Sequence, residues 1–375
     1  MNIFIASATL FFIFTYLWLK KRRNYWNIRG FPSAELIFPF GSLKGIGTEK
    51  SLCIGLDEFY KKFKGKGPAV GLFYFVKPML MPIDPKLIKN ILITNFDCFQ
   101  DRLIYYNKED DPISAHLLAL EANKKNVIKF FYNTFKHNLE YRERNNIVRK
   151  DFLQILLDLK KSASLTVSEM AAESFIFFLG GFETSSSLSV FAIYELALNV
   201  EIQENLRNEL KVEIEKNDGK LTYDLLFQLK FLDMVMNETL RKYPPAFIIT
   251  RNSTKDFKIP ETEMVIPANT DININVLSIH RDPEYYPEPE KFDPERFTSE
   301  NIRNRKPFTF IPFGDGPRKC IGGRFGMLQA KLGIVKLILN FEFLPCGQTT
   351  IPMKFSPPAL FLSPADRMWL RVRRL

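Results

Sequence analysis

The sequence predicts a mainly α (α+β) fold with small peripheral β-sheets. Three observations predict it: apolar residues recur at helical spacing over several stretches, strand-like pieces are short and scattered, and 46% of the 375 residues are apolar, ample for a buried core. The 36 Phe are a heavy aromatic load that suits a core enclosing apolar ligands and equally suits plain packing.

Ile3 to Leu19 is an uncharged, mostly apolar run. As a helix it spans about 25 Å at ~1.5 Å per residue, slightly short of a bilayer core. Lys20-Lys21-Arg22-Arg23 follows directly, which favours an anchor with its C-terminal side in the cytosol; the bulky end Tyr16-Leu17-Trp18-Leu19 argues against a cleaved signal. Residues 1–23 are therefore expected to be a membrane anchor and 24–50, with Gly30-Phe31-Pro32 and Pro39-Phe40-Gly41, a turn-rich linker. Residues 51–375 are expected to form one domain.

Within that domain Ser51 to Phe63 has helical spacing, and Ala69 to Phe75 and Met79 to Ile83 read as strands broken by Lys77-Pro78. Asp84-Pro85 starts a helix, Phe99 to Glu121 reads as a long loop, and Ile147 to Lys161 is helical again. Thr166-Val167-Ser168-Glu169 is a capping box opening a long apolar helix to about Asn199. Helices over Glu201 to Glu215 and Phe231 to Tyr243 follow, the second stopped by Pro244-Pro245. Strand-like pieces come at Ala246 to Thr250, Met264 to Ile266 and Asp271 to Val276; Tyr285 to Pro312 is Pro-rich and irregular. A helix over Gly323 to Asn340 and strands around Phe341 to Leu344, Ala359 to Leu362 and Met368 to Val372 close the chain.

Net charge is +10, but the basic residues are dispersed and no nucleic-acid motif accompanies them, so nucleic acid is not an expected partner. An anionic membrane face or an acidic electron donor accounts for the balance equally well. Cys53, Cys98, Cys320 and Cys346 form no C-x-x-C pair, and His116, His137 and His280 form no ligand pair at helical spacing. That argues against a zinc site and a disulfide framework, and leaves sulfur as the better ligand for a transition metal.

Cys320 lies in Phe313-Gly314-Asp315-Gly316-Pro317-Arg318-Lys319-Cys320-Ile321-Gly322, a punctuated loop ahead of a helix. A thiolate there is stabilised by the positive end of the helix dipole, and the glycines let backbone approach a flat, bulky partner. Arg318 brings a charge suited to a carboxylate. A structural cysteine in a Gly turn is the plain alternative. In the long helix, Gly180-Gly181-Phe182-Glu183-Thr184-Ser185-Ser186 places two glycines mid-helix, at a cost of about 1 kcal/mol each relative to Ala. Close approach of a flat cofactor is one reason for them. Thr184 shares a face with Gly180 and has Glu183 beside it, a hydroxyl and a carboxylate able to pass protons. Tight helix packing, with Thr184 bonded to its own backbone, is the other reading. Glu238 and Arg241, at i and i+3, can pair.

The pattern Phe-x-x-Gly-x-Arg-x-Cys-x-Gly resembles the haem-ligand loop of the cytochrome P-450 family of monooxygenases and matches it at every fixed position. Phe182-Glu183-Thr184-Ser185-Ser186, Thr239-Leu240-Arg241-Lys242-Tyr243-Pro244-Pro245 and His280-Arg281-Asp282-Pro283-Glu284-Tyr285-Tyr286-Pro287 place the resemblance nearest insect-type microsomal members. It implies a P-450-like helical fold and a haem (iron protoporphyrin) whose iron is bound by Cys320, with Phe313, Gly314, Gly322, Gly180 and Gly181 against the ring. Arg318, Arg251 and Arg102 would pair the propionates, and Thr184 and Glu183 would relay protons. Glu238, Arg241 and Arg296 would form a buried network locking the loop, a structural role. Phe178, Phe247, Ile248, Ile249 and Leu360 would wall a substrate pocket. The implied activity inserts one oxygen atom of O2 into a lipophilic xenobiotic or endogenous lipid or hormone. Electrons would come from an NADPH-dependent reductase at the endoplasmic reticulum membrane.

One departure stands out. After Ala115-His116-Leu117-Leu118-Ala119-Leu120-Glu121 the family continues into a helix bearing Trp-x-x-x-Arg, whereas this chain has Ala122-Asn123-Lys124-Lys125-Asn126. The next familiar phrase, Tyr141-Arg142-Glu143-Arg144-Asn145-Asn146, belongs much further along. Several helices are expected to be missing near 121–140, leaving apolar faces uncovered. A catalytically impaired member with weak haem binding is the competing expectation; a basic membrane-surface module without cofactor ranks third.

Overall fold

The computed structural model describes residues 2–102, 125–163, 165–357 and 361–375. It divides into two compact units, one of Met1–Leu103 with Thr184–Leu375 and the other of Ile104–Glu183. Helices predominate and the sheets are small, as the periodicities predict.

The first unit opens with α1 (Asn2–Arg23), which carries Lys20, Lys21, Arg22 and Arg23 in its last turn. The stretch after it is no free connector. Trp26, Phe31, Ala34 and Leu36 are buried in the core with the first two strands, and Trp26 Nε1 donates to the Leu72 carbonyl at 3.0 Å. A Cβ on Gly71 would stand 2.1 Å from Trp26 Cγ, so only glycine lets the indole lie on the strand.

The described strands are β1 (Ala69–Tyr74), β2 (Lys77–Pro82), β3 (Ile248–Asn252), β4 (Phe257–Lys258), β5 (Val265–Ile266), β6 (Asp271–Asn275), β7 (Phe341–Pro345) and β8 (Leu370–Arg374). The main sheet runs β1-β2-β6-β3, with β2 and β6 parallel and the other pairs antiparallel. The break between β1 and β2 falls at Phe75, whose φ is 52°, and not at Lys77-Pro78. Pro78 is tolerated because it pairs only with Phe73; pairing with β6 begins at Met79. Of the expected strand over Ala359 to Leu362, residues 359–360 lie outside the described residues and Leu362 is not in a strand.

The helices that follow α1 are α2 (Leu52–Phe63), α3 (Pro85–Lys89), α4 (Lys125–Arg144), α5 (Phe152–Ala163), α6 (Val167–Leu198), α7 (Val200–Lys216), α8 (Tyr223–Gln228), α9 (Lys230–Lys242), α10 (Val276–His280), α11 (Ser299–Asn304) and α12 (Gly323–Asn340). Asp84 caps α3, its side chain accepting from Lys86 N at 2.8 Å. Leu188, Ala192 and Leu196 of α6 pack with Leu206 and Leu210 of α7, Leu232, Val235 and Met236 of α9, and Ile334 and Ile338 of α12.

In the second unit, the capping box forms as expected. Thr166 N donates to Glu169 Oε2 at 2.8 Å, and Glu169 N donates to Thr166 Oγ1 at 3.2 Å. Helix α4 was not foreseen by periodicity, and the region expected to hold the deletion, 121–140, is helical from Lys125 on. Helix α5 starts at Phe152 and not Ile147; the preceding turn is tied by Arg142, which donates to Asp151 Oδ1 at 2.7 Å. Leu139, Leu156, Leu157 and Met170 form the unit's small core, and Phe152 stacks on Phe177 at 4.3 Å. Ile176, Phe177, Phe178, Leu179 and Phe182 are exposed. By length and composition alone, α6 is apolar enough to cross a membrane.

Candidate functional site

Cys320 is exposed, in the turn between the short 3-10 segment Gly316–Arg318 and α12. Its N–H donates to the Phe313 carbonyl at 2.9 Å, closing the loop on itself. Asp315 caps the 3-10 segment, accepting from Gly316 N at 2.9 Å. Gly316 has φ +72° and its Cβ would lie 2.0 Å from the Leu92 carbonyl oxygen, so the loop can sit on that backbone only with glycine there. The Phe313 ring lies under Gly323, 3.2 Å from where its Cβ would be, while a Cβ on Gly322 would meet no protein atom within 4 Å. The loop thus rests on one side against packed structure and presents sulfur on the other.

Strand β3 borders the loop. Ile249 Cδ1 is 3.7 Å from a Cβ built on Gly314. Arg251, two positions on, shares the strand face. Arg251 is 3% exposed, and its Nε has no hydrogen-bond partner. Its Nη1 donates to the Thr250 carbonyl at 2.8 Å. Burial, then the charges of Arg102 and Arg318, push its pKa down to about 10. Arg102 Nη2 donates to the Arg318 carbonyl at 3.1 Å. Three guanidiniums therefore gather at the Cys320 loop, and none is in an ion pair with a described carboxylate. Like charges held together in a partly desolvated place call for an anionic partner.

Glu238, Arg241 and Arg296 come together, with Arg296 Nε at ion-pair distance but making no hydrogen bond. Arg241 donates through Nε to Glu238 Oε2 at 2.7 Å and through Nη2 to Oε1 at 2.8 Å, both side chains being fully buried. Arg296 Nε stands 3.6 Å from Glu238 Oε1, and Asp293 N donates to the same oxygen at 2.9 Å. Burial pushes the Glu238 carboxyl up, opposed by Arg241. Arg241 also donates to the His280 carbonyl at 3.0 Å, and His280 Nε2 accepts from Ile311 N at 2.9 Å, two residues before Phe313. Nothing in the sequence pointed to this relay through His280. A His with no neighbouring ligand type carries no spacing signal.

The other predicted residues are placed as follows. Gly180 is exposed, and a Cβ there would meet no described atom outside its own helix within 4 Å; Gly181, Glu183 and Thr184 are half-buried on α6. The two units divide between Glu183 and Thr184. Ile248 and Ile249 are half-buried and Phe178 is exposed, whereas Phe247 is buried in a cluster with Phe191, Tyr194 and Tyr243. Leu360 lies outside the described residues.

A haem fits these residues: an accessible thiol for the metal, glycines that clear a flat approach, and cations for two carboxylates. Among the described residues no group of three or more His, Cys, Asp or Glu could hold a metal ion, so a metal on Cys320 would have to bring further ligands of its own. Comparison with known proteins agrees. The family model "Cytochrome P450" matches residues 111–371. The chain is 32% identical to "Cytochrome P450 6A1" of Musca domestica, over 99% of this chain and 96% of that protein. It is 31% identical to "Probable cytochrome P450 6a14" of Drosophila melanogaster, over 94% and 96% respectively. The first alignment runs 497 positions against a chain of 375 residues, so about a quarter of its length has no counterpart here. Motif, cation cluster and near full-length similarity converge: the chain belongs to the cytochrome P450 family, whose members bind haem and act as monooxygenases.

Proposed function

We propose that this chain is a haem–thiolate monooxygenase that oxidises a lipophilic small molecule, xenobiotic or endogenous, using O2 and electrons from an NADPH-dependent reductase. The observation that carries the reading is the cluster of Arg102, Arg251 and Arg318 at the loop of Cys320, none of them ion-paired with a described carboxylate. Haem supplies the iron centre for oxygen chemistry when bound. Cys320 holds it by sulfur, and the three arginines orient it by its carboxylates. Phe313, Gly314 and Gly322 line the sulfur side. Gly180 and Gly181 leave two successive positions of α6 without side chains, and the Thr184 hydroxyl holds a proton that Glu183 replenishes. Glu238, Arg241 and Arg296 keep the loop in register. Phe178, Phe247, Ile248, Ile249 and Leu360 are assigned to the substrate pocket. Helix α1, with its basic last turn, is assigned as a single-pass anchor in the endoplasmic reticulum membrane, supported by the charge that follows its apolar run.

The reduced carbon-monoxide difference spectrum of the haem-supplied chain tests this. A thiolate-type Soret band lost in Cys320→Ala is expected; a folded chain that retains no haem overturns the reading. Thr184→Ala is expected to keep the band and lower product per reductant by ~10-fold or more. A second reading, an impaired member that holds haem weakly, is favoured by the exposed Ile176–Leu179 run and the unmatched quarter of the alignment. It predicts that added haem is lost on gel filtration while Cys320 is intact.

A further inference from the structure

Glu195 is 2% exposed, yet it carries a carboxylate into the middle of the helical core. Its Oε1 accepts from Lys242 Nζ at 2.8 Å and from the Tyr243 hydroxyl at 2.5 Å, and its Oε2 accepts from Asn199 Nδ2 at 3.3 Å. The Tyr243 ring stacks on Phe191, one turn before Glu195, with centroids 4.6 Å apart and planes 6° from parallel. The donors are held in turn: the Lys242 carbonyl accepts from Arg281 Nε at 3.0 Å and from its Nη2 at 2.6 Å. Such a cluster fixes an azimuth, because a charge-assisted hydrogen bond is directional where apolar packing is not.

Glu195 lies about three helical turns beyond Thr184 and projects within about 20° of it around the α6 axis. Whatever fixes the rotation of α6 at Glu195 also fixes it at Thr184. The residues that do so, Lys242 and Tyr243, sit at the end of α9, the helix whose Glu238 and Arg241 bind the segment leading to Cys320. One helix is thus bonded both to the ligand-loop side and to α6.

We propose that Glu195, clamped by Lys242 and Tyr243, is a positioning residue that sets the rotation of α6 and with it the direction of the Thr184 hydroxyl. The proposal rests on the reading of Thr184 as the proton-holding group. Tyr243→Phe keeps the ring stack and removes one bond; Glu195→Gln keeps the shape and removes the charge. Hydrogen exchange of the full chain, with and without haem, is expected to show about tenfold lower protection across 184–198 in either variant, with 323–340 at the parental rate. In the haem-loaded chain both variants are expected to keep the thiolate band and lower product per reductant, with losses that do not add to that of Thr184→Ala. Parental exchange across 184–198 overturns the clamp. Equal loss of protection in both segments, or losses additive with Thr184→Ala, makes these residues general packing and overturns the positioning role. A parental chain without the thiolate band sinks the monooxygenase reading alone, since exchange in the haem-free chain still decides the clamp.

Discussion

His280 is fully buried, stacks on Phe310 with centroids 5.1 Å apart, and uses Nε2 as an acceptor for Ile311 N–H, which makes it a neutral ring with its proton on Nδ1. Burial, then the neighbouring charge of Arg241, lowers its pKa from 6.5 to about 3. Between those values the unfolded chain binds a proton that the native chain refuses. The stabilisation is therefore whole above pH 6.5 and declines as pH falls towards about 3, at up to ~1.4 kcal/mol per pH unit. Urea midpoints measured at pH 7.5 and pH 5 should differ accordingly, and His280→Gln should flatten that difference. Arg251 makes the opposite trade. Its buried guanidinium, whose Nε has no partner among the described residues, sits beside two like charges, so Arg251→Met is expected to stabilise the haem-free chain by roughly 1 kcal/mol while weakening haem retention. Thermal melting of the haem-free form and haem titration check the two halves separately.

At the scale of elements, α9 was readable in sequence from its periodicity and its Pro-Pro stop, and Glu238 and Arg241 from their spacing on one face. What spacing could not supply is the environment: both groups are fully buried, and Arg241 also satisfies carbonyls of His280 and Pro289, far along the chain. Glu238→Ala leaves that guanidinium buried without its counter-charge and should cost about 3–5 kcal/mol in urea unfolding. Glu238→Gln should cost less, because the amide oxygen still accepts one bond. Other elements were missed for local reasons. Helix α10 hides behind the alternation of β6, which continues one residue too far unless Asn275 is seen as the cap that accepts from Ser278 N at 3.4 Å. Helix α4 is amphipathic but strongly polar overall, and it falls in the stretch expected to hold a deletion, so its period went unread.

For the molecule as a whole, the second unit carries more exposed apolar surface than its small core explains. Ile176, Phe177, Phe178, Leu179 and Phe182 form a run exposed along α6, with Phe130, Ile155 and Leu159 exposed on the helices beside it. Soluble surfaces seldom leave such patches uncovered. Native-state binding of an apolar dye such as ANS is expected to be strong and to fall on Phe177→Ser with Phe178→Ser, without loss of the capping box or of far-ultraviolet helicity. Unchanged dye binding would place the apolar surface elsewhere.

By itself the sequence determined the chemistry: a thiol in a Gly-punctuated loop, mid-helix glycines beside a hydroxyl and an acid, and an acid–arginine pair. These are local patterns, written within ten residues or fewer. Only the tertiary structure decided which charges lose water and which find partners. Arg102, Arg251 and Arg318 meet from three distant segments, Glu195 meets Lys242 and Tyr243, and His280 joins the charge network to the ligand loop. The reason is physical: desolvation and pairing depend on distance in space, and folding brings together residues that sequence spacing leaves far apart.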